Sequence, residues 1–435
     1  MQLTIWRQAV YLACALAVAT PAIALARQAE GAQAQPAAAQ PSAPGAIRIF
    51  LDCNFSCDET YIRSEVTFVD YVRDRTESDV HVLVTTQDTG GGGTEFTLKF
   101  IGLGRFAGTE QTLRYVSPQT ATSDERRRGM TEVLKQGLVR YVAESPLAPR
   151  LKISLAPAAD GKGQTTPASD PWNLWVFRSS LGGSLNGEES SSGKSVRGSF
   201  SANRTTEQWK LSFSAHANYR DSRFDLGEGE VFNTVSRSFE STALTVKSLG
   251  QHWAAALVGT TSVSTFLNQD LRIRVAPGVE WNYFPYSENT RRRLTVQYSV
   301  GFNSFNYEEE TIFGKLSERL PDHRLRATLS LRQPWGNAFV SSRFSQFLSD
   351  PGKYSLSTFG ETSVRLFKGF SFDVFGEIVR TRDQLYLQRG GATTEEILVQ
   401  QRQLLTGYQY FVNFGISYSF GSIFNNVVNP RFDGF

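Results

Sequence analysis

Residues 408–420 read YQYFVNFGISYSF. Tyr408, Tyr410, Val412, Phe414, Ile416, Tyr418 and Phe420 share one parity, and Gln409, Phe411, Asn413, Gly415, Ser417 and Ser419 share the other. A strand sends successive side chains to opposite faces, so one face is aromatic and apolar while the other is mostly small and polar. Eleven segments of this kind precede it: 172–185, 195–204, 208–219, 241–247, 253–262, 271–283, 293–302, 325–332, 339–348, 355–367 and 370–380. Such a series predicts a transmembrane antiparallel β-barrel of about twelve strands.

The connections give an independent check. Long ones are expected at 220–240, 303–323 and 381–406, after odd strands. Short ones are expected at 248–251, 334–337 and 368–369, after even strands. That alternation fits an even-stranded barrel with both termini on the short-turn, periplasmic side. Pro277 lies inside the sixth strand, where a bulge helped by Gly278 is expected.

Composition agrees. Of 435 residues, 31 are Phe, 15 Tyr and 36 Gly, which suits strands bearing aromatic girdles. After the N-terminus no run of apolar residues is long enough for a membrane-spanning helix. The formal charge is +3, too close to zero for a nucleic-acid binder.

Arg7, an apolar run from Ala9 to Ala19, and Ala24-Leu25-Ala26 form a signal peptide over 1–26. Lipidation at Cys14 is disfavoured, because Tyr11 precedes it and the apolar run ahead of it is short. Residues 27–45 read as a disordered linker, and 157–171 as a second. Between them, 46–156 reads as a small periplasmic α/β domain. Its strands are AIRIFLD, DVHVLVTTQ, EFTLKFIGL and TLRYV, with Leu151 to Leu155 closing the unit. A helix is expected from Asp58 to Arg73, weakened by Val66 and Val69, and another from Ser123 to Tyr141. Cys53 and Cys57 are expected to form a disulfide in an oxidising compartment. The rival, a thiolate metal pair, has His81 as its nearest histidine, in a strand. No cofactor is called for.

Asn413, Gly415, Tyr418 and Phe420 together resemble the C-terminal β-signal of bacterial outer-membrane proteins, in which a polar residue, a glycine and two aromatics recur at this spacing. The resemblance implies an outer-membrane location and insertion by the barrel assembly machinery. It covers eight residues, and fifteen more follow, 421–435, where the family motif normally ends the chain. This tail is expected in the periplasm or tucked into the barrel mouth.

Parity assigns a set of charges to the lumen: Arg178, Arg197, Lys210, Arg220, Arg272, Arg274, Glu280, Arg326, Arg332, Arg343, Glu361, Arg365, Asp373 and Glu377. A cation facing lipid at mid-bilayer costs roughly 2–4 kcal/mol, which forces these inward. The excess of guanidinium predicts a narrow, weakly anion-preferring channel. The alternative is a lumen filled by arginine–carboxylate pairs, the barrel then serving as a non-conducting anchor. As an anchor it would present its domain to an envelope or export partner across a linker reaching roughly 20 Å.

An outer-membrane phospholipase is the enzymatic rival, since that family also uses twelve strands. It needs a Ser and a His on the lipid face, and none of His81, His216, His252 and His323 stands at suitable spacing from one. Three further motifs have plain readings. Gly90 to Gly93 is a flexible hairpin tip rather than a phosphate cradle. Arg126, Arg127 and Arg128 form a solvated helix face rather than a lipid-headgroup or partner site. Glu308, Glu309 and Glu310 form a solvated loop rather than a site for cations bridging lipopolysaccharide.

Overall fold

The computed structural model describes residues 45–53, 57–154, 170–227, 230–390, 406–424 and 426. The segment read as a signal peptide, nearly all of the first expected linker, most of the second, the last nine residues and much of the connection at 381–406 lie outside these.

The first unit is a five-stranded sheet in the order β2-β1-β3-β4-β5. Its strands are β1 (Ile47–Asp52), β2 (Val69–Tyr71), β3 (Val80–Asp88), β4 (Thr94–Gly102) and β5 (Glu110–Ser117). β1 runs parallel to β2 and β3, while β3, β4 and β5 are antiparallel. Two helices, α1 (Glu59–Glu65) and α2 (Ser123–Ala143), complete it. Asp58 caps α1 by accepting from the Tyr61 N–H. The helix expected to reach Arg73 stops at Val66, and Val69 enters β2 instead, because β-branched residues hold an extended backbone at little cost. Thr122 caps α2, in a reciprocal box with Glu125. Leu151 to Ser154 forms no strand. Cys53 and Cys57 are disulfide-bonded with their Cα atoms 5.7 Å apart.

One sheet face packs on the helices. Ile47, Ile49, Val80, Val82, Leu98 and Phe100 are fully buried there against Leu134, Leu138 and Tyr141. Glycines let α2 approach closely. A Cβ on Gly137 would stand 2.0 Å from the Phe100 ring, and one on Gly129 2.4 Å from Tyr115. Gly137→Ala should therefore cost about 1–3 kcal/mol by overpacking. Hydrogen exchange on the whole chain should show α2 and β4 amides exchanging tenfold or more faster. Unchanged rates would contradict this packing.

The second unit is an antiparallel meander of twelve strands, hydrogen-bonded in chain order from β6 to β17. They are β6 (Trp175–Gly187), β7 (Ser191–Thr205), β8 (Trp209–Gly227), β9 (Glu230–Ser248), β10 (Trp253–Ser264), β11 (Gln269–Asn282), β12 (Arg292–Tyr307), β13 (Ser317–Gln333), β14 (Gly336–Phe347), β15 (Tyr354–Phe367), β16 (Phe370–Thr381) and β17 (Tyr408–Tyr418). Each of the twelve segments read from the sequence becomes one strand, and the chain is a β-barrel preceded by a small α/β domain. Among the described residues β6 and β17, the two end strands, are not paired with each other.

Register carries one set of residues across all twelve strands. Tyr298 stands opposite Val279 and Leu325, and Phe344 opposite Leu325 and Leu356. Thr358 lies between Ser342 and Ile378, and Ile378 opposite Tyr410. This apolar outer face ends in aromatic girdles, with Trp209, Trp253 and Trp281 toward the short turns and Tyr408 and Tyr410 toward the other end.

Three expectations need correction. The connection placed at 220–240 is largely strand, because β8 and β9 run to Gly227 and start at Glu230. Polar residues on both faces hid those strand ends in the sequence. The one at 303–323 shrinks in the same way, with β13 starting at Ser317. Pro277 makes no bulge. It pairs with Leu257, and only the β12 side skips it, with register kept from Val275–Phe302 to Gly278–Ser299. A missing N–H removes a ladder bond without requiring an extra residue.

Candidate functional site

All fourteen charges assigned to the lumen fall on the inner face of the sheet, opposite the apolar one. Arg326 stands directly opposite Gln297 and Arg343, Arg332 opposite Asn337, and Glu361 between Phe339 and Phe375. Asp373 lies opposite Ser363 and Gly415. Arg178 lies opposite Ser201, Arg220 opposite Ser195 and Ser236, and Lys210 opposite Thr205 and Val246. Arg197 lines an open cavity of about 660 Å³ with Ser199, His216 and Glu240. Glu280 accepts from Asn282, Tyr286 and Gln297 near the short turns, and Glu377 accepts from Ser357. These charges are mostly not paired with one another. Among the described residues the inner-face ion pairs converge on two carboxylates.

The first is Asp322, a residue read in the sequence as part of a loop. Its oxygens receive Arg274 Nε at 3.0 and 3.1 Å and Nη2 at 2.9 Å, and Arg324 Nε at 3.2 Å. Arg274 and Asp322 are each 4 % exposed. A Cβ on Gly301, directly opposite Asp322, would sit 2.5 Å from both partners, so the glycine makes room for the pair. Asp322 and Arg324 were missed because Pro321 and His323 surround them. The inward parity of Arg326, extended backwards, would have found both.

The second is Asp52, at the end of β1. Its oxygens receive Arg365 Nη1 and Nη2 at 2.7 and 2.8 Å, joining the α/β domain to β15. His81 Nε2 lies 3.2 Å away, fully buried, and the Arg365 guanidinium lies over the Phe50 ring at 5.0 Å. Burial pushes the Asp52 carboxyl up, but the hydrogen bonds and charges of Arg365 and His81 outweigh it and hold it at about 2. Burial lowers the His81 pKa, outweighing the opposite pull of Asp52, so the imidazole is neutral and its Nε2–H donates.

Phe50, Asp52, His81, Leu83 and Thr85 are all buried, although the helices cover the opposite face of their sheet. The short-turn end of the barrel covers them, which explains why β3 is buried over six consecutive residues. Other contacts spread the footprint. Lys368 pairs with Glu77, and the Gly369 N–H donates to Asp74 at 2.8 Å. The two-residue turn suits Gly369, whose φ is +69°. At the tip of the glycine hairpin, a Cβ on Gly90 would meet Thr205 of β7 at 2.5 Å. The domain therefore reaches from β7 to β15 and β16 across the short-turn mouth, and the hairpin is a contact rather than a free tip.

The chain after β17 fastens the same edge. Asn426 Nδ2 donates to Asp70 at 2.7 Å and its Oδ1 accepts from the Tyr71 N–H at 2.6 Å. The Arg73 N–H donates to the Ile423 carbonyl at 3.1 Å. Residues 421–424 and 426 thus lie along β2 rather than inside the mouth. Of the residues that resemble a β-signal, Asn413 and Gly415 face inward opposite Phe375 and Asp373. Tyr418 and Phe420 stack at 5.7 Å on the other parity.

At the opposite end, the segment following β16 folds over the inner face. Leu385 and Leu387 are buried, Gln388 bridges to Thr311, and Arg389 pairs with Glu310. Glu309 exchanges backbone hydrogen bonds with the Asn268 side chain. The acidic run is thus a tether for this segment. Arg127 and Arg128 pair with Asp124, and Arg127 also with Asp58, so much of that basic run is satisfied within its own domain.

His216 faces inward between Ser199 and Glu240. His252 Nδ1 donates to the Asn282 carbonyl at 2.8 Å. His323 shares the outer parity and does have an orienting partner, Gln346 at 3.0 Å, but its ring neighbours are Tyr298 and Phe344. No cluster among the described residues could hold a metal ion.

No family model matches this chain, and no curated protein does. Among solved structures, the NanC porin in a rhombohedral crystal form matches at 8 % identity with a TM-score of 0.27. The match covers 56 % of this chain and 99 % of that one.

Proposed function

We propose that the chain forms a narrow, weakly anion-preferring channel in the outer membrane, with its α/β domain seated over the periplasmic mouth as a gate. The observation that carries this reading is the inner face, where among the described residues guanidinium groups outnumber carboxylates and most are not neutralised by pairing. A surplus of fixed positive charge concentrates anions in a narrow passage. The domain's position supports the gating part, since it rests on both sides of the short-turn end. Insertion would follow the β-signal route through the barrel assembly machinery, and no chemistry on a substrate is proposed.

The anchor reading draws on the same docking. A domain held by a buried ion pair and a C-terminal clamp is well placed to present the outer surface of α2 to a periplasmic protein. Single-channel recording in planar bilayers separates the two readings. Folded barrel lacking 46–156 should give discrete steps with an anion-biased reversal potential, and the full chain smaller or rarer steps. Silence from both, with folding verified by heat-modifiable mobility, would sink the channel and leave the anchor.

A further inference from the structure

Toward the long-loop end, three inner-face guanidiniums gather around two carboxylates. Asp322 is already saturated by Arg274 and Arg324. Among the described residues Arg272 has no ion-paired carboxylate of its own. One of its nitrogens donates to Asn303 at 3.0 Å, its plane lies 5.0 Å from the Phe305 ring centre, and its buried Nε has no hydrogen-bond partner. Asp383, Leu385 and Tyr386, from the segment following β16, roof over this group. The partly open cavity has a volume of about 120 Å³, and Arg272, Arg324, Phe305 and Phe347 line it together with Asp322 and Asp383. Among the described residues, three positive groups against two negative ones leave one charge unbalanced. Arg272 is half-buried, and a guanidinium whose buried Nε–H goes unused is costly unless an acceptor arrives.

We infer that this cavity is a binding site for the carboxylate of a small organic acid. Arg272 and Arg324 would hold the carboxylate oxygens, and the phenylalanine rings would flank a short apolar body. Planar guanidinium forks match carboxylates in both geometry and charge. Size sets the class, because a cavity of roughly 150 Å³ can hold benzene. A volume of 120 Å³ therefore accepts a monocarboxylate of a few carbons, or the acidic end of a longer acid. The inference rests on the channel reading and names the solute class the passage would select. Its roof is a chain segment pinned by Glu310 and Thr311 rather than a continuous wall, which leaves a route for entry.

The test is calorimetric titration of sodium butyrate into the folded full-length protein in detergent, with chloride held constant. Saturable binding at one site is expected. Arg272→Gln and Arg324→Gln should each weaken it at least tenfold, while Arg343→Gln, inward but outside the cavity, should leave it unchanged. Ser345→Leu, directly opposite Arg324, fills the cavity without removing a charge and should abolish binding, which covers the case where an arginine variant does not fold. Absence of saturable binding to wild type, or binding indifferent to Ser345→Leu, overturns the site. Butyrate binding by a protein silent in bilayers would keep the site and discard the channel. Conductance without butyrate binding would do the reverse.

Discussion

Replacing Arg365 with alanine should release the α/β domain from the barrel mouth. The substitution removes both charged donors from Asp52, which is 4 % exposed and keeps only His81. Stripping one partner from a buried ion pair costs about 3–5 kcal/mol. Arg365 is a third exposed, so solvent screening and the remaining histidine reduce that to about 2 kcal/mol. That is roughly a 30-fold shift from docked to undocked. In bilayers it should appear as a higher open fraction, approaching the behaviour of barrel without the domain. Protease should also cut 157–169 faster. An open fraction and cleavage rate equal to wild type would mean that the contact holds nothing shut.

Acid should act on the same joint, with a sign set by the two groups. Asp52 titrates below its ordinary 3.8 when docked. Its contribution is therefore complete above about pH 4 and lost as pH falls through about 2. His81 is held neutral, with its pKa below 6.5, so the undocked form takes the proton first and docking begins to weaken below pH 6.5. Open fraction measured from pH 7 to 4 should rise in wild type through His81 alone. His81→Gln should flatten that rise while leaving the pH 7 value close to wild type.

The second large effect is expected at Asp322. Asp322→Ala leaves Arg274, itself 4 % exposed, and Arg324 facing each other without a counter-charge. The expected loss is about 3–5 kcal/mol of barrel stability, read as the urea midpoint for unfolding from phospholipid vesicles. The cost lies in the stranded cations rather than in the missing contact. The double variant Asp322→Leu with Arg274→Leu should therefore recover most of it. Equal losses in the single and double variants would show that the pair's geometry, and not its charge balance, holds β11 to β13.

Much of this architecture was readable one residue at a time. Tyr410, Val412, Phe414 and Ile416 alternate with small and polar neighbours, and β17 forms there in that phase. The same local rule gave the parity of Arg272 and Arg326. Where both faces are polar the rule loses its signal, and β8 and β9 beyond Tyr219 and the start of β13 were read as loop for that reason. Asp322 was lost with them. His323 shows the converse failure. Its direct cross-strand partner, Gln346, stands 23 positions away, and no local spacing announces it.

By itself the sequence determined the strands, their two faces and the sign of the inner charge, because alternation is imposed on each segment by its own backbone and by lipid or water beside it. Only the tertiary structure decided which charges meet. Asp52 and Arg365 lie 313 positions apart, Arg274 and Asp322 lie 48 apart, and Asn426 reaches Asp70 across 356. Those pairings depend on strand order, register and the docking of one sheet on the end of another. They are properties of the assembled barrel, which no local pattern of residues encodes.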